Sequence, residues 1–175
     1  MDNTLVIFYS YTGPSKQLAH LLSAQYGWQL GELVDARPRA GATGLMRCTA
    51  ESMLRQRPKI RYQGPDPRDF ESVVLVSPIW FYRLASPMRS FVAERARDLR
   101  QVAVVSVMGS QGGLNAAAEI AELLGRAPLL ATAFTAIEVE DGSCAGRLQA
   151  FGRSLEEAGK QAAAVRPATW SPRAA

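Results

Sequence analysis

Short runs of apolar residues alternate along this chain with stretches whose apolar residues recur at helical spacing, and that alternation limits the fold more than any other feature. The runs at Leu5–Phe8, Ser72–Ser77 and Val102–Val107 are far too short to cross a membrane. They are also too uniformly apolar for a sheet with one wet face, and so belong to a parallel sheet covered by helices on both sides. Trp28–Val34 and Leu129–Ile137 complete a set of five expected strands. Between them, Pro14–Tyr26 carries Leu18, Leu21, Leu22 and Tyr26 on one stripe. Ser86–Arg97 carries Met88, Phe91 and Val92, and Leu114–Leu124 is rich in alanine. Ser143–Val165 keeps a stripe of Leu148, Phe151, Leu155, Ala158, Ala162 and Val165. Five β-α units in this sequence predict a doubly wound α/β sheet, for which strand order 2-1-3-4-5 is one of the two dominant solutions.

A chain of 175 residues suits one well-buried domain. We expect that domain over residues 1–166, with a loose tail at 167–175, where prolines stop the last helix. Residues 36–67 form an insertion between the second and third strands. In it Pro38, Gly41 and Gly44 mark a loop, and Leu45–Gln56 forms a short helix that ends before Pro58. The N-terminal residues are not basic and lack the pattern of a secretory signal, so the expected location is cytoplasmic. Cys48 and Cys144 are then expected to be reduced packing residues. With His20 the sole histidine, a conventional zinc site is not expected. The net charge is +4, carried mostly by scattered arginines rather than a basic tract. That distribution argues against a nucleic-acid partner, while suiting attraction of an anionic substrate.

In a doubly wound sheet, ligands sit outside the carboxyl ends of the strands. After strand one stands Ser10-Tyr11-Thr12-Gly13-Pro14-Ser15-Lys16, where hydroxyls surround a glycine at a helix start. A helix N-terminus presents free N–H groups and a positive dipole end, which suits a phosphate ester, although Gly13 and Pro14 fit a plain helix cap equally well. After strand three stands Ser77-Pro78-Ile79-Trp80-Phe81-Tyr82-Arg83. Three consecutive aromatics where the sheet ends favour a flat heterocycle over core packing. After strand four stands Gly109-Ser110-Gln111-Gly112-Gly113, whose glycines permit close backbone approach. An anion cradle, an aromatic patch and a glycine loop on one edge together fit FMN.

These segments resemble the flavodoxin-like family, in particular its small FMN oxidoreductases. The family's phosphate loop, Ser-x-Thr-Gly-Asn-Thr, stands here as Ser10-Tyr11-Thr12-Gly13-Pro14-Ser15. Its ring segment stands as Pro78-Ile79-Trp80-Phe81, preceded by Asp69-Phe70-Glu71 and followed by Pro87 and Phe91. Gly109-Ser110 resembles the family's third flavin loop. The resemblance implies FMN held by Ser10, Tyr11, Thr12, Gly13, Pro14 and Ser15. It further implies a ring lined by Pro78, Ile79, Trp80, Phe81 and Tyr82, with Gly109 and Ser110 at its other edge. It also implies NAD(P)H as co-substrate, a quinone-like or other small acceptor, no catalytic side chain beyond the flavin, no membrane insertion, and a homodimer as in related proteins. One departure stands out: Pro14 replaces the usual Asn and removes a backbone donor and an amide from the phosphate nest. A flavodoxin-type carrier and a cofactor-free interaction domain are the alternatives. The first is disfavoured by a pI of about 9.4, because such carriers are acidic, and the second is motivated by Pro14.

A serine hydrolase is excluded because Met108 stands where a nucleophile elbow needs its first glycine. No Walker lysine motif or G-x-G-x-x-G occurs. A receiver domain would need acidic residues where Ser10 and Tyr11 stand.

Overall fold

The computed structural model describes residues 3–36, 50–51, 54–109 and 112–165. The strands are β1 (Thr4–Phe8), β2 (Gln29–Asp35), β3 (Ile60–Gln63), β4 (Ser72–Trp80), β5 (Arg83–Leu84), β6 (Gln101–Met108) and β7 (Leu130–Thr135). The helices are α1 (Pro14–Tyr26), α2 (Ser86–Arg95), α3 (Gly113–Leu124), α4 (Ala136–Glu140) and α5 (Ala145–Val165), with a 3-10 turn at Pro67–Asp69. The sheet order is β3-β2-β1-β4-β6-β7, and β5 pairs only with β4. β2, β1, β4, β6 and β7 are mutually parallel, which is the expected 2-1-3-4-5 order.

The apolar runs determine this arrangement because their side chains are buried on both faces. Leu5, Ile7, Val73, Leu75, Val102 and Val104 meet Met88, Phe91, Ala116 and Ile120 of α2 and α3. On the opposite face, Val6, Phe8, Val74, Val76, Ala103 and Val105 meet Leu18 and Leu22 of α1 and Leu148, Phe151 and Leu155 of α5. Side chains removed wholly from water, such as Ile7, Leu18, Met88 and Phe134, each stabilise by roughly 1.5–3 kcal/mol. The burial of Ala162 and Val165 lies outside the described residues. Cys144 is a buried free thiol whose pKa burial pushes up. Cys48 lies outside the described residues, as do residues 166–175. Among the described residues no helix is long and apolar enough to cross a membrane.

Local chemistry places the helix ends. Pro14 opens α1, where its missing N–H is no loss. Gly27, at φ 69°, closes it by donating its N–H to the Ser23 carbonyl at 2.8 Å. Leu21, expected on the buried stripe of this helix, is exposed, because the stripe is narrower and runs through Leu18, Ala19 and Leu22.

Four sequence expectations need correction. The insertion contributes a strand, β3, antiparallel to β2 with Leu33 opposite Tyr62. The Ala36 N–H donates to the Lys59 carbonyl at 3.2 Å and closes the segment. Of the short helix expected at Leu45–Gln56, residues 50–51 are helical and residues 54–56 are not, while residues 45–49 and 52–53 lie outside the described residues. The fifth strand ends at Thr135 rather than Ile137. There Thr135 and Glu138 form a reciprocal capping box that starts α4. Finally, the third parallel strand does not stop at Ser77. It continues to Trp80 and turns back through β5, with Ile79 opposite Leu84 and Trp80 opposite Arg83.

Candidate functional site

The loops after β1, β4 and β6 lie at the carboxyl edge of the sheet, as the topology requires. In the first loop Gly13 adopts φ 114° and ψ −39°, a conformation side-chain-bearing residues rarely take. A Cβ at Gly13 would meet nothing within 4 Å, so backbone conformation rather than crowding demands the glycine, and the space beside it is open. Ser10 Oγ accepts the Gly13 N–H at 3.1 Å and closes the turn on itself. No side chain caps α1. The amides of its first turn therefore face the edge with the positive end of the helix dipole behind them. Thr12 is exposed, whereas Pro14 and Ser15 are buried. Lys16 leans toward β2, 3.8 Å from Glu32.

Trp80 joins this loop to the next. Its half-buried ring stands edge-on to Tyr9, with centroids 5.6 Å apart and planes at 86°, and edge-on to Tyr11 at 6.1 Å and 89°. Tyr9 is fixed in turn, donating its hydroxyl to Asp35 Oδ2 at 2.8 Å. Sequence reasoning misses Asp35 and gives no role to Tyr9, the first residue of the loop after β1. The signal available was position alone, since each stands at the carboxyl end of a neighbouring strand.

Beyond Trp80, Phe81 and Tyr82 form the two-residue turn between β4 and β5. Both are left-handed, at φ 48° and 61°. Positive φ at both central positions defines a type I′ turn, which normally carries Asn-Gly. Here both aromatic rings are more than half exposed. Strain at such positions is of order 1–3 kcal/mol each, and the surroundings must hold it in place.

They do so from two sides. Gly112, at φ 109°, backs the turn so closely that a Cβ there would lie 3.0 Å from Tyr82 Cα and 3.2 Å from Ile79 Cγ2. Below the turn, the buried Arg89 guanidinium donates to the Leu84 carbonyl at 2.8 Å, to the Gln56 carbonyl at 3.2 Å and to Glu119. Glu119 also accepts the Leu84 N–H at 3.3 Å. Gly109 has nothing within 4 Å of its Cβ position. Ser110 and Gln111 lie outside the described residues.

The structure thus brings Ser10, Tyr11, Thr12, Gly13, Pro14 and Ser15 to one edge with Pro78, Ile79, Trp80, Phe81, Tyr82 and Gly109. The open side of Gly13, the uncapped helix and the Thr12 hydroxyl fit a phosphate ester. The aromatic rings beside them fit a planar ring system. His20, by contrast, is an exposed residue of α1 whose ring is tilted against Phe8 at 5.9 Å.

A doubly wound α/β sheet with such an edge defines a broad class, which comparison with solved structures narrows. The flavoprotein from Lactobacillus acidophilus NCFM, solved in complex with FMN, is 17% identical and superposes with a TM-score of 0.65 over 82% of this chain and 99% of that one. The flavodoxin, WrbA-like protein from Agrobacterium tumefaciens is 12% identical, with a TM-score of 0.56 over 92% of this chain and 99% of that one. A flavodoxin from the domain Archaea is 15% identical, with a TM-score of 0.52 over 90% and 99% respectively. No protein-family model and no curated protein matches the sequence. This chain has the flavodoxin-like fold.

Proposed function

We propose that this protein is an FMN-binding oxidoreductase that passes electrons from NAD(P)H to a quinone-like or other small acceptor. The observation that carries this reading is the meeting, at one sheet edge, of an uncapped helix start behind Gly13 and a Trp80 ring set between Tyr9 and Tyr11. The fold shared with a flavoprotein solved with FMN supports the same reading.

In this account Ser10, Thr12, Gly13, Ser15 and the first amides of α1 hold the phosphate. Trp80, Phe81 and Tyr82 line the ring, and Gly109 borders its other edge. FMN, when bound, would supply the redox chemistry. The chain itself orients the ring and keeps water from its buried side. Tyr9 contributes by holding the Trp80 edge in place, through its own bond to Asp35. No side chain is required as a general base. The acceptor is a small molecule rather than a nucleic acid, and the setting is cytoplasmic.

The test is to add excess FMN to purified protein, remove free flavin, and record the absorbance. We then follow NADPH consumption with a naphthoquinone. Retained flavin and quinone-dependent oxidation support the proposal. Retained flavin without turnover leaves a carrier, and no retained flavin leaves a cofactor-free domain; either result overturns the enzyme.

A further inference from the structure

We propose that the cavity between the Phe81–Tyr82 turn and α3 binds a planar aromatic ring bearing one phosphate or carboxylate group. Its volume is about 340 Å³, and its walls include Arg55, Phe81, Tyr82, Arg83, Asn115 and Ala118.

Three observations carry this assignment. First, Arg55, Phe81 and Tyr82 are the residues other than glycine at positive φ among those described, and all three line this one cavity. Left-handed backbone at side-chain-bearing positions persists where the side chains are needed in a set place. Here it concentrates at one spot and turns two exposed rings toward a hollow.

Second, the charges around the hollow leave one cation uncompensated among the described residues. Arg55 lies 3.4 Å from Glu122. Glu119, also in the wall, is taken up by Arg89 and the Leu84 N–H. Half-buried Arg83 has no carboxylate partner among the described residues. A guanidinium at a concave wall selects a phosphate or carboxylate, which its paired donors fit in geometry.

Third, the α3 N-terminus adds positive potential from the same side, since its N-cap residue, Gly112, has no side chain to cap it. Asn115, in its first turn, presents a carboxamide with no partner among the described residues, and so reads the edge of a ring seated on Phe81 or Tyr82.

Two sources carry this chemistry: the phosphorylated adenosine end of NADPH, and an acidic aromatic acceptor. Seating either one beside the flavin rests on the oxidoreductase reading, but the binding does not require flavin and is measured separately. Titration calorimetry on flavin-free protein uses adenosine 2′-phosphate and naphthoate as the probes, with adenosine and naphthol as neutral counterparts. At least one anion is expected to bind, with its neutral counterpart about tenfold weaker or more. Preference for the adenosine probe assigns the cavity to the dinucleotide, and preference for naphthoate to the acceptor.

Arg83→Gln should weaken the favoured anion by about tenfold or more, and should flatten its dependence on salt. Ala118→Phe, at an exposed helix position, fills the hollow without touching the core and should abolish binding. No binding by either anion, or equal binding in both variants, would overturn the proposal. Failure of the flavin reading would show instead as absent flavin absorbance, with this titration unchanged.

Discussion

Two turns at the same sheet edge need left-handed backbone, and they meet the need in opposite ways. After β1 the position goes to Gly13, at φ 114°, with empty space where a side chain would stand. After β4 it goes to Phe81 and Tyr82, at φ 48° and 61°, although Asn-Gly would fit without strain. The difference separates two tasks. The first turn offers backbone amides, and a side chain there would only obstruct them. The second turn offers rings, so it keeps its side chains and relies on Gly112 and the Arg89–Glu119 pair to hold them.

The largest expected effect comes from removing that support. Arg89→Met leaves Glu119 buried without its cation, which should destabilise the fold by about 3–5 kcal/mol. Chemical denaturation reads the loss, and hydrogen exchange should show the Leu84 amide opening while the Gly13 turn stays as protected as before. Equal loosening of both turns would break the contrast.

Replacing the strained pair should do the reverse. Phe81→Asn with Tyr82→Gly restores the favoured turn chemistry and should stabilise by about 1–3 kcal/mol, seen as a higher Tm. The same change should abolish ring binding at the cavity. Unchanged stability would mean that the turn stores no strain.

The glycine turn is sharpened by Pro14→Asn, which returns a backbone donor and an amide to the start of α1. FMN binding, followed by fluorescence quenching, should tighten by about one order of magnitude. No tightening would show that the nest is complete without them.

How much of this was legible in the sequence follows from local chemistry. α1 was readable to the residue because Pro14 and Gly27 bracket it. The parallel strands were readable because the valine runs leave no polar face. The β4–β5 hairpin was not, because Phe81-Tyr82 is the opposite of what a type I′ turn advertises. β3 was hidden for a related reason: Ile60–Gln63 alternates burial over only four residues between Pro58 and Gly64. The start of α4 lay inside a strand-like run, yet Thr135-Ala-Ile-Glu138 is a capping box that could have been read. The loops after β1 and β4 stand at the edge that the strand order requires, whereas Ser110 and Gln111 of the third lie outside the described residues. The cavity was out of reach, since it joins Arg55, Arg83 and Asn115 across three separate segments.

The smallest effect is a pH dependence remote from both turns. Tyr62, packed on Phe91 and donating its hydroxyl to the Pro65 carbonyl at 2.6 Å, is pushed up to about 12 by burial, with the Asp66 carboxylate adding to the shift. The native state therefore holds this proton more tightly than the unfolded chain, whose tyrosine titrates near its ordinary value of 10.0. Stability should be level below that pH and fall between it and about 12. Tyr62→Phe should remove this part of the alkaline decline, and an identical decline in the variant would assign it elsewhere.

The central claim, that the Gly13 turn grips the phosphate of a flavin whose ring lies at Trp80, is tested most directly by amide chemical-shift mapping with FMN and with riboflavin in parallel. FMN should shift the amides of Thr12, Gly13, Ser15 and Lys16 together with the Trp80 indole, whereas riboflavin, lacking the phosphate, should move Trp80 weakly and the turn not at all. Identical shifts from both ligands, or FMN shifts that spare residues 12–16, would contradict it.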